Sequence, residues 1–257
     1  MASETAGSVG AVRVSRPQGD TGAADPGVVA ALEAYARGTG SEHDALTAIA
    51  RARLLVPVVA LLTEESEAGT EKESEMALPT LVGNDGRTAV IAFTGTDTLR
   101  RWREDARPVP VAAPRVCEAA LSEAAAAVVI DVAGPVPLAV EGARLRALAA
   151  NQPPPPPHED PDIQAEVAAV TPHFTLEPGG PDSDLLVRLT TADAAEARRL
   201  GGEIALRLRP RLRRGIEVTT APLSRTNRGS PSGTPPPNGA APSGPNPQRD
   251  HLPRIPV

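Results

Sequence analysis

Few side chains in this 257-residue chain are of a type and in a setting to do chemistry. Asp131 is the clearest, a carboxylate near the end of the apolar run Ala127-Val128-Val129-Ile130-Asp131-Val132. Burial in such a strand suits a carboxylate to act as a general base. The same residue before Gly134-Pro135 also suits a structural role, accepting backbone N–H groups in the turn that follows. Cys117 is the lone nucleophile candidate, but it falls on the inward face of an amphipathic helix, where a thiol behaves as a small hydrophobe. His43, His158, His173 and His251 are dispersed along the chain. Glu64, Glu65, Glu67, Glu71, Glu73 and Glu75 supply oxygens for a divalent cation, yet they lack the Asp-x-Asp spacing and central glycine of a calcium loop. They read as a solvated acidic loop. Arg198, Arg199, Arg207, Arg209, Arg211, Arg213 and Arg214 form the one basic concentration. No aromatic residue stands near them to stack a base, and Glu196, Glu203 and Glu217 interrupt the run, so a solvated helix face is favoured over a nucleic-acid contact. No phosphate-binding loop ending in Gly-Lys-Ser/Thr and no GxGxxG after a strand is present. On these grounds no residue is assigned as catalytic, cofactor-binding or metal-ligating.

Composition describes the scaffold that must hold such groups. Apolar residues make up 40% of the chain but aromatics only 2%, so the core is built of Leu, Val, Ile and Ala. The net charge of -6 disfavours nucleic acid or an anionic membrane as the general partner. A single cysteine excludes an internal disulfide and fits a reducing cytoplasm. The first 20 residues lack an apolar signal core, and the longest apolar run, Leu54 to Leu62, is too short to span a bilayer.

The elements follow from punctuation and periodicity. Residues 1–24 read as a disordered leader. Asp25-Pro26 starts a helix with an acidic N-cap and proline at its first position, and Ser41 with Asp44 starts a second with a capping box. Leu54 to Leu62 reads as a central strand apolar on both faces, with Pro57 demanding a bulge or an edge. Met76 to Trp102 reads as strand, tight Asp85-Gly86 turn, strand and helix, with Thr94 or Thr96 as the cap and Leu99, Trp102 and Ala106 inward. A short strand at Val109 to Ala112 and a helix from Pro114 to about Ala126 follow, the helix with Cys117, Ala120, Leu121 and Ala124 inward. A strand at Ala127 to Val132, a brief strand at Pro137 to Val140 and a helix from Glu141 to Ala150 complete a domain over 25–150. The prolines of 153–157 read as a semi-rigid polyproline II spacer within a 151–160 linker. A smaller unit over 161–223 alternates helix, strand, strand, helix and strand, its long helix carrying Gly201-Gly202. Residues 224–257 have no periodicity and read as a disordered tail. The fold class expected is α+β (mixed α/β), with a mixed sheet and flanking helices.

Three segments resemble the SseB family of bacterial proteins. These are Ala52-Arg53-Leu54-Leu55-Val56-Pro57-Val58; Leu78-Pro79-Thr80-Leu81-Val82 with Asp85-Gly86-Arg87 and Phe93-Thr94 before Trp102; and Val129-Ile130-Asp131 with Gly134-Pro135. The likeness covers about residues 25 to 150, the SseB N-terminal domain, in the form found in actinobacterial members with a divergent second domain. Residues 161–223 are similar to the family's C-terminal domain in pattern only. The resemblance implies a fold and carries no catalytic residues.

The reading of function that results is a non-enzymatic cytoplasmic protein that binds another protein, with neither cofactor nor membrane. The alternative is a small-ligand binder or enzyme whose site lies between the two domains. The recognition surface expected is the interdomain cleft or the Asn84-Asp85-Gly86 hairpin, with Arg87 and the Arg209 to Arg214 run as contacts.

Overall fold

A computed structural model describes residues 4–6, 20–58, 79–83 and 85–221. The acidic loop expected at Glu64 to Glu75, the expected strand residues 59–62 and 76–78, Asn84, His251 and the tail expected at 224–257 lie outside the described residues, as do residues 222–223 and residues 1–3 and 7–19 of the expected leader.

Helix α1 (Pro26–Ala36) begins where Asp25 Oδ1 accepts from Gly27 N at 2.7 Å and Val28 N at 3.2 Å. Helix α2 (Glu42–Ala50) carries the Ser41/Asp44 capping box in full, each residue's side chain accepting from the other's backbone N–H. These caps satisfy amide donors that a helix start leaves unpaired, which is why the two boundaries were legible.

The larger sheet runs β1 (Glu4–Ala6), β3 (Pro79–Val82), β4 (Thr88–Ala92), β6 (Ala127–Ile130) and β7 (Leu138–Glu141), in that spatial order. Its centre, β4 beside β6, is parallel, while the other pairings are antiparallel. The β3–β4 hairpin closes with Gly86 at φ +78°, as the Asp-Gly pair demands. Strand β2 (Arg53–Val58) is buried as expected but is not central to this sheet. It forms a separate antiparallel ribbon with β5 (Arg107–Ala112), with Pro57 opposite Pro108, and is linked to the line of β4 by an isolated bridge from Leu55 to Phe93, the residue after β4. Prolines on both strands deny the ribbon ladder donors, which confines it to an edge role.

Helix α3 (Thr96–Trp102) is capped by Gly95 without a side-chain bond, so neither threonine caps it; the Thr94 hydroxyl bonds elsewhere. The helix ends at Trp102, which leaves Ala106 buried in the following turn and not on the helix. Trp102 is half-buried, its ring 5.6 Å from that of Phe93, with the Arg103 guanidinium 5.2 Å from its own centroid. Helix α4 (Ala113–Ser122) buries Val116, Cys117 and Ala120, whereas Leu121 is 40% exposed and Ala124 lies beyond the helix with φ +54°. Helix α5 (Gly142–Ala149) buries Leu145 and Leu148 beside α4.

The proline run is not a free spacer. Pro154 is buried, Pro155, Pro156 and Pro157 are half-buried, and Glu159 N closes a turn onto Pro156 O. Beyond it, α6 (Pro161–Ala168), β8 (Phe174–Pro178), β9 (Leu185–Thr190), α7 (Ala194–Leu208) and β10 (Ile216–Ala221) form a second unit. Strands β8 and β9 make an antiparallel hairpin, and α7 carries the chain across to β10, parallel to β9. Its core of Ile163, Val167, Val187, Leu189, Ile204 and Ile216 is distinct from the Leu46, Val90, Val128 and Leu145 core of the first unit. Among the described residues no helix is long and apolar enough to cross a membrane.

Candidate functional site

Strand β4 has a site at each end. At the amino ends of β4 and β6, the two units meet around a cleft of about 390 Å³. Arg87, the residue before β4, reaches Asp85 Oδ2 at 2.6 Å and Glu141 Oε2, at the end of β7, at 3.0 Å. Across the cleft Arg207 on α7 makes looser contacts of 3.5 Å with Glu166 and with Glu203. These rim groups are all substantially exposed, so screening leaves each pair a weak contributor to stability.

The floor of the cleft is a buried ionic network that fastens the units together. Arg144 on α5 donates to Glu42 Oε1 at 2.6 Å, and Arg211 donates to Glu42 Oε2 at 3.4 Å and to Asp160. Burial pushes the Glu42 carboxyl above its ordinary range, and the Arg144 and Arg211 charges only partly oppose this. Burial works against the charge of Arg211 too, but there Glu42 and Asp160 prevail and hold it above its ordinary value. Asp162, in the first turn of α6, accepts from Ala143 N at 2.7 Å and so caps α5 from the other unit. That approach requires Gly142, at φ +59°, because a Cβ there would stand 2.0 Å from Asp162 Oδ2. The Tyr35 hydroxyl donates to Pro210 O at 3.1 Å, and Arg213 stacks over the Tyr35 ring at 4.8 Å.

The basic run is therefore not one face. Arg198, Arg199, Arg207 and Arg209 are exposed, Arg211 and Arg213 hold the first unit, and Arg214 bonds Gly180 O and Pro181 O with Asp184 nearby at 3.8 Å. Glu42, Arg144 and Asp160 were not singled out from the sequence. A glutamate at the first position of a helix ordinarily faces water, and nothing local marks this one as inward-facing.

At the opposite, carboxyl ends of β4 and β6 sits Asp131, 3% exposed and in the left-handed region at φ +53°. Its Oδ1 accepts from Thr94 N at 2.9 Å and Thr98 Oγ1 at 2.5 Å, and its Oδ2 from Thr94 Oγ1 at 2.6 Å. The carboxylate thus bonds to the end of the neighbouring strand and to α3, not to the turn that follows it. Gly134 N in that turn bonds the main-chain oxygen of Asp131, at 2.7 Å. Asp20 to Ala24, placed by the sequence in the leader, lie against this end: Arg53 bonds Asp20 Oδ2 at 2.8 Å and Ala23 O at 2.5 Å, and Thr96 N bonds Gly22 O at 2.9 Å.

The other candidates stay apart. Burial pushes the Cys117 thiol up to about 12, far from a reactive thiolate. His158 lies 3.5 Å from Glu159, His173 is exposed, and the buried Nδ1 of His43 has no hydrogen-bond partner among the described residues. Among the described residues no three His, Cys, Asp or Glu side chains converge as a metal site.

Residues 28–147 match the family model described as SseB protein N-terminal domain. That stretch of the chain is an SseB N-terminal domain. No curated protein and no solved structure matches the chain. The SseB domain so bounded contains β2 to β7 and most of α5, and with them Glu42, Asp131 and Arg144. Asp160, Asp162 and Arg211 lie outside it, so the ionic network couples the SseB domain to a unit that the family match does not reach.

Proposed function

We propose that this protein is a non-enzymatic interaction module of a reducing compartment, and that it binds another protein across the cleft between its SseB domain and its C-terminal unit. The observation that supports this reading is the rim. Arg87 and Glu141 of one unit and Glu166 and Arg207 of the other are exposed charges set on rigid elements around one recess. Alternating exposed charges give register and association rate more than raw affinity, as suits a regulatory contact. The floor beneath them is locked by buried ion pairs, so the rim is preorganised. A nucleophile paired with a base is not what the carboxylates and thiol offer: Asp131 is engaged by threonines, and Cys117 is held in its thiol form. Affinity capture from the cells that make the protein tests the reading. Arg87→Ala with Arg207→Ala should lose the partner that the unaltered protein retains, at unchanged melting temperature. Equal recovery by both would place the contact elsewhere, and turnover of a substrate by the purified protein would refute the non-enzymatic part.

A further inference from the structure

The carboxyl ends of β4 and β6 border a second cavity, of about 230 Å³, separate from the ionic cleft. Ala24, Val29, Leu32 and Val136 give it apolar walls, and Asp131 with Thr94 and Thr98 gives it a polar side. Among the described residues four carboxylates are buried: Glu42, Asp131, Asp160 and Asp184. Three face an arginine, with Glu42 against Arg144, Asp160 against Arg211 and Asp184 against Arg214. Asp131 alone has no cation within ion-pair distance among the described residues. A buried carboxylate without counter-charge is costly, and proteins ordinarily pair it.

The hydrogen bonds of Asp131 leave room for such a partner. A carboxylate offers about four lone-pair directions. Two donors reach Oδ1 and one reaches Oδ2. One site remains, on Oδ2, and the adjacent Thr94 hydroxyl, having given its proton to Asp131, can itself accept. The charge at the mouth has the same sign. Glu33 and Asp97 join Asp131 in lining the cavity against Arg101, three carboxylates to one guanidinium.

We propose that this cavity binds a small ligand carrying a primary ammonium group on a short aliphatic body. The ammonium donates to Asp131 Oδ2 and to the Thr94 hydroxyl, and the aliphatic part lies against Val29, Leu32 and Val136. A guanidinium is disfavoured, because its paired donors need both carboxylate oxygens open and Oδ1 is already taken.

Calorimetric titration and thermal melts of the full chain with butylammonium chloride test this, with butanol, butyrate and sodium chloride as matched controls. Saturable binding of butylammonium alone is expected, with a saturating rise in melting temperature. Asp131→Asn, which suits the left-handed backbone, should weaken binding about tenfold or more, the loss expected for a hydrogen bond to a charged group. Ala23→Phe places a ring at the exposed mouth and should abolish binding without changing the ligand-free melt, so the assignment stays testable even if Asp131→Asn fails to fold. Equal binding of butanol, butyrate or sodium, undiminished binding by both variants, or no saturable heat would overturn it. Arg87→Ala with Arg207→Ala should bind butylammonium normally, which separates this result from that of the interdomain cleft.

Discussion

Arg144 and Glu42 are 102 residues apart in sequence and 2.6 Å apart in space, and neither side chain is more than 8% exposed. One stands on the helix that closes the SseB domain and the other at the first position of α2. Arg211 of the C-terminal unit completes the arrangement, so the tie within the domain is also the anchor for its neighbour. Removing one member of a buried pair strands the other.

Arg144→Met should therefore cost roughly 3–5 kcal/mol, the range for breaking a buried ion pair by removing one partner. The cost should depend on pH with a definite sign. Burial already holds the folded pKa of Glu42 above its unfolded value. Without Arg144 the folded state gains most by protonating Glu42. That relief is full below the ordinary carboxylate range and is lost as pH rises through the raised folded pKa. Denaturant melts at about pH 5 and about pH 8 should show a larger deficit at the higher pH. A deficit equal at both would mean that Glu42 is adequately paired by Arg211 alone.

Gly202 lies inside α7, and beyond its chain neighbours and the helix's own backbone nothing stands within 4 Å of where a Cβ would sit. Nothing in the structure requires glycine there. Gly202→Ala should stabilise the protein by about 1 kcal/mol, through restricting the unfolded chain and improving helix propensity. Urea denaturation checks it, and a loss of stability would show that α7 needs its glycine for a contact made in solution.

Cys117 is 2% exposed within the main core, and burial pushes its thiol up to about 12. An aromatic disulfide reagent at neutral pH should leave the native protein unmodified and titrate one thiol after denaturant is added. Reaction of the folded protein within minutes would mean that α4 opens locally far more often than its packing implies.

Features written within a few neighbouring residues were legible from the chain alone. Asp25-Pro26, Ser41 with Asp44 and Asp85-Gly86 each satisfy backbone groups or supply a dihedral angle locally, and each lies where it was read. Strand identity was also legible from apolar runs, as at Ala127 to Ile130. Placement was not. Leu54 to Val58 has the burial of a central strand, yet pairing put it in a ribbon with β5, because burial on both faces is achieved by any covering layer and not only by a central sheet position. Thr94 looked like a helix cap, but its hydroxyl lies within reach of Asp131 because β4 and β6 are parallel and in register, with Ala92 opposite Ile130. The partners of Glu42 and the threonine donors around Asp131 depend on which helices and strands come together across the chain. Such pairings are set by the packing of surfaces, to which residues close in sequence contribute only one side.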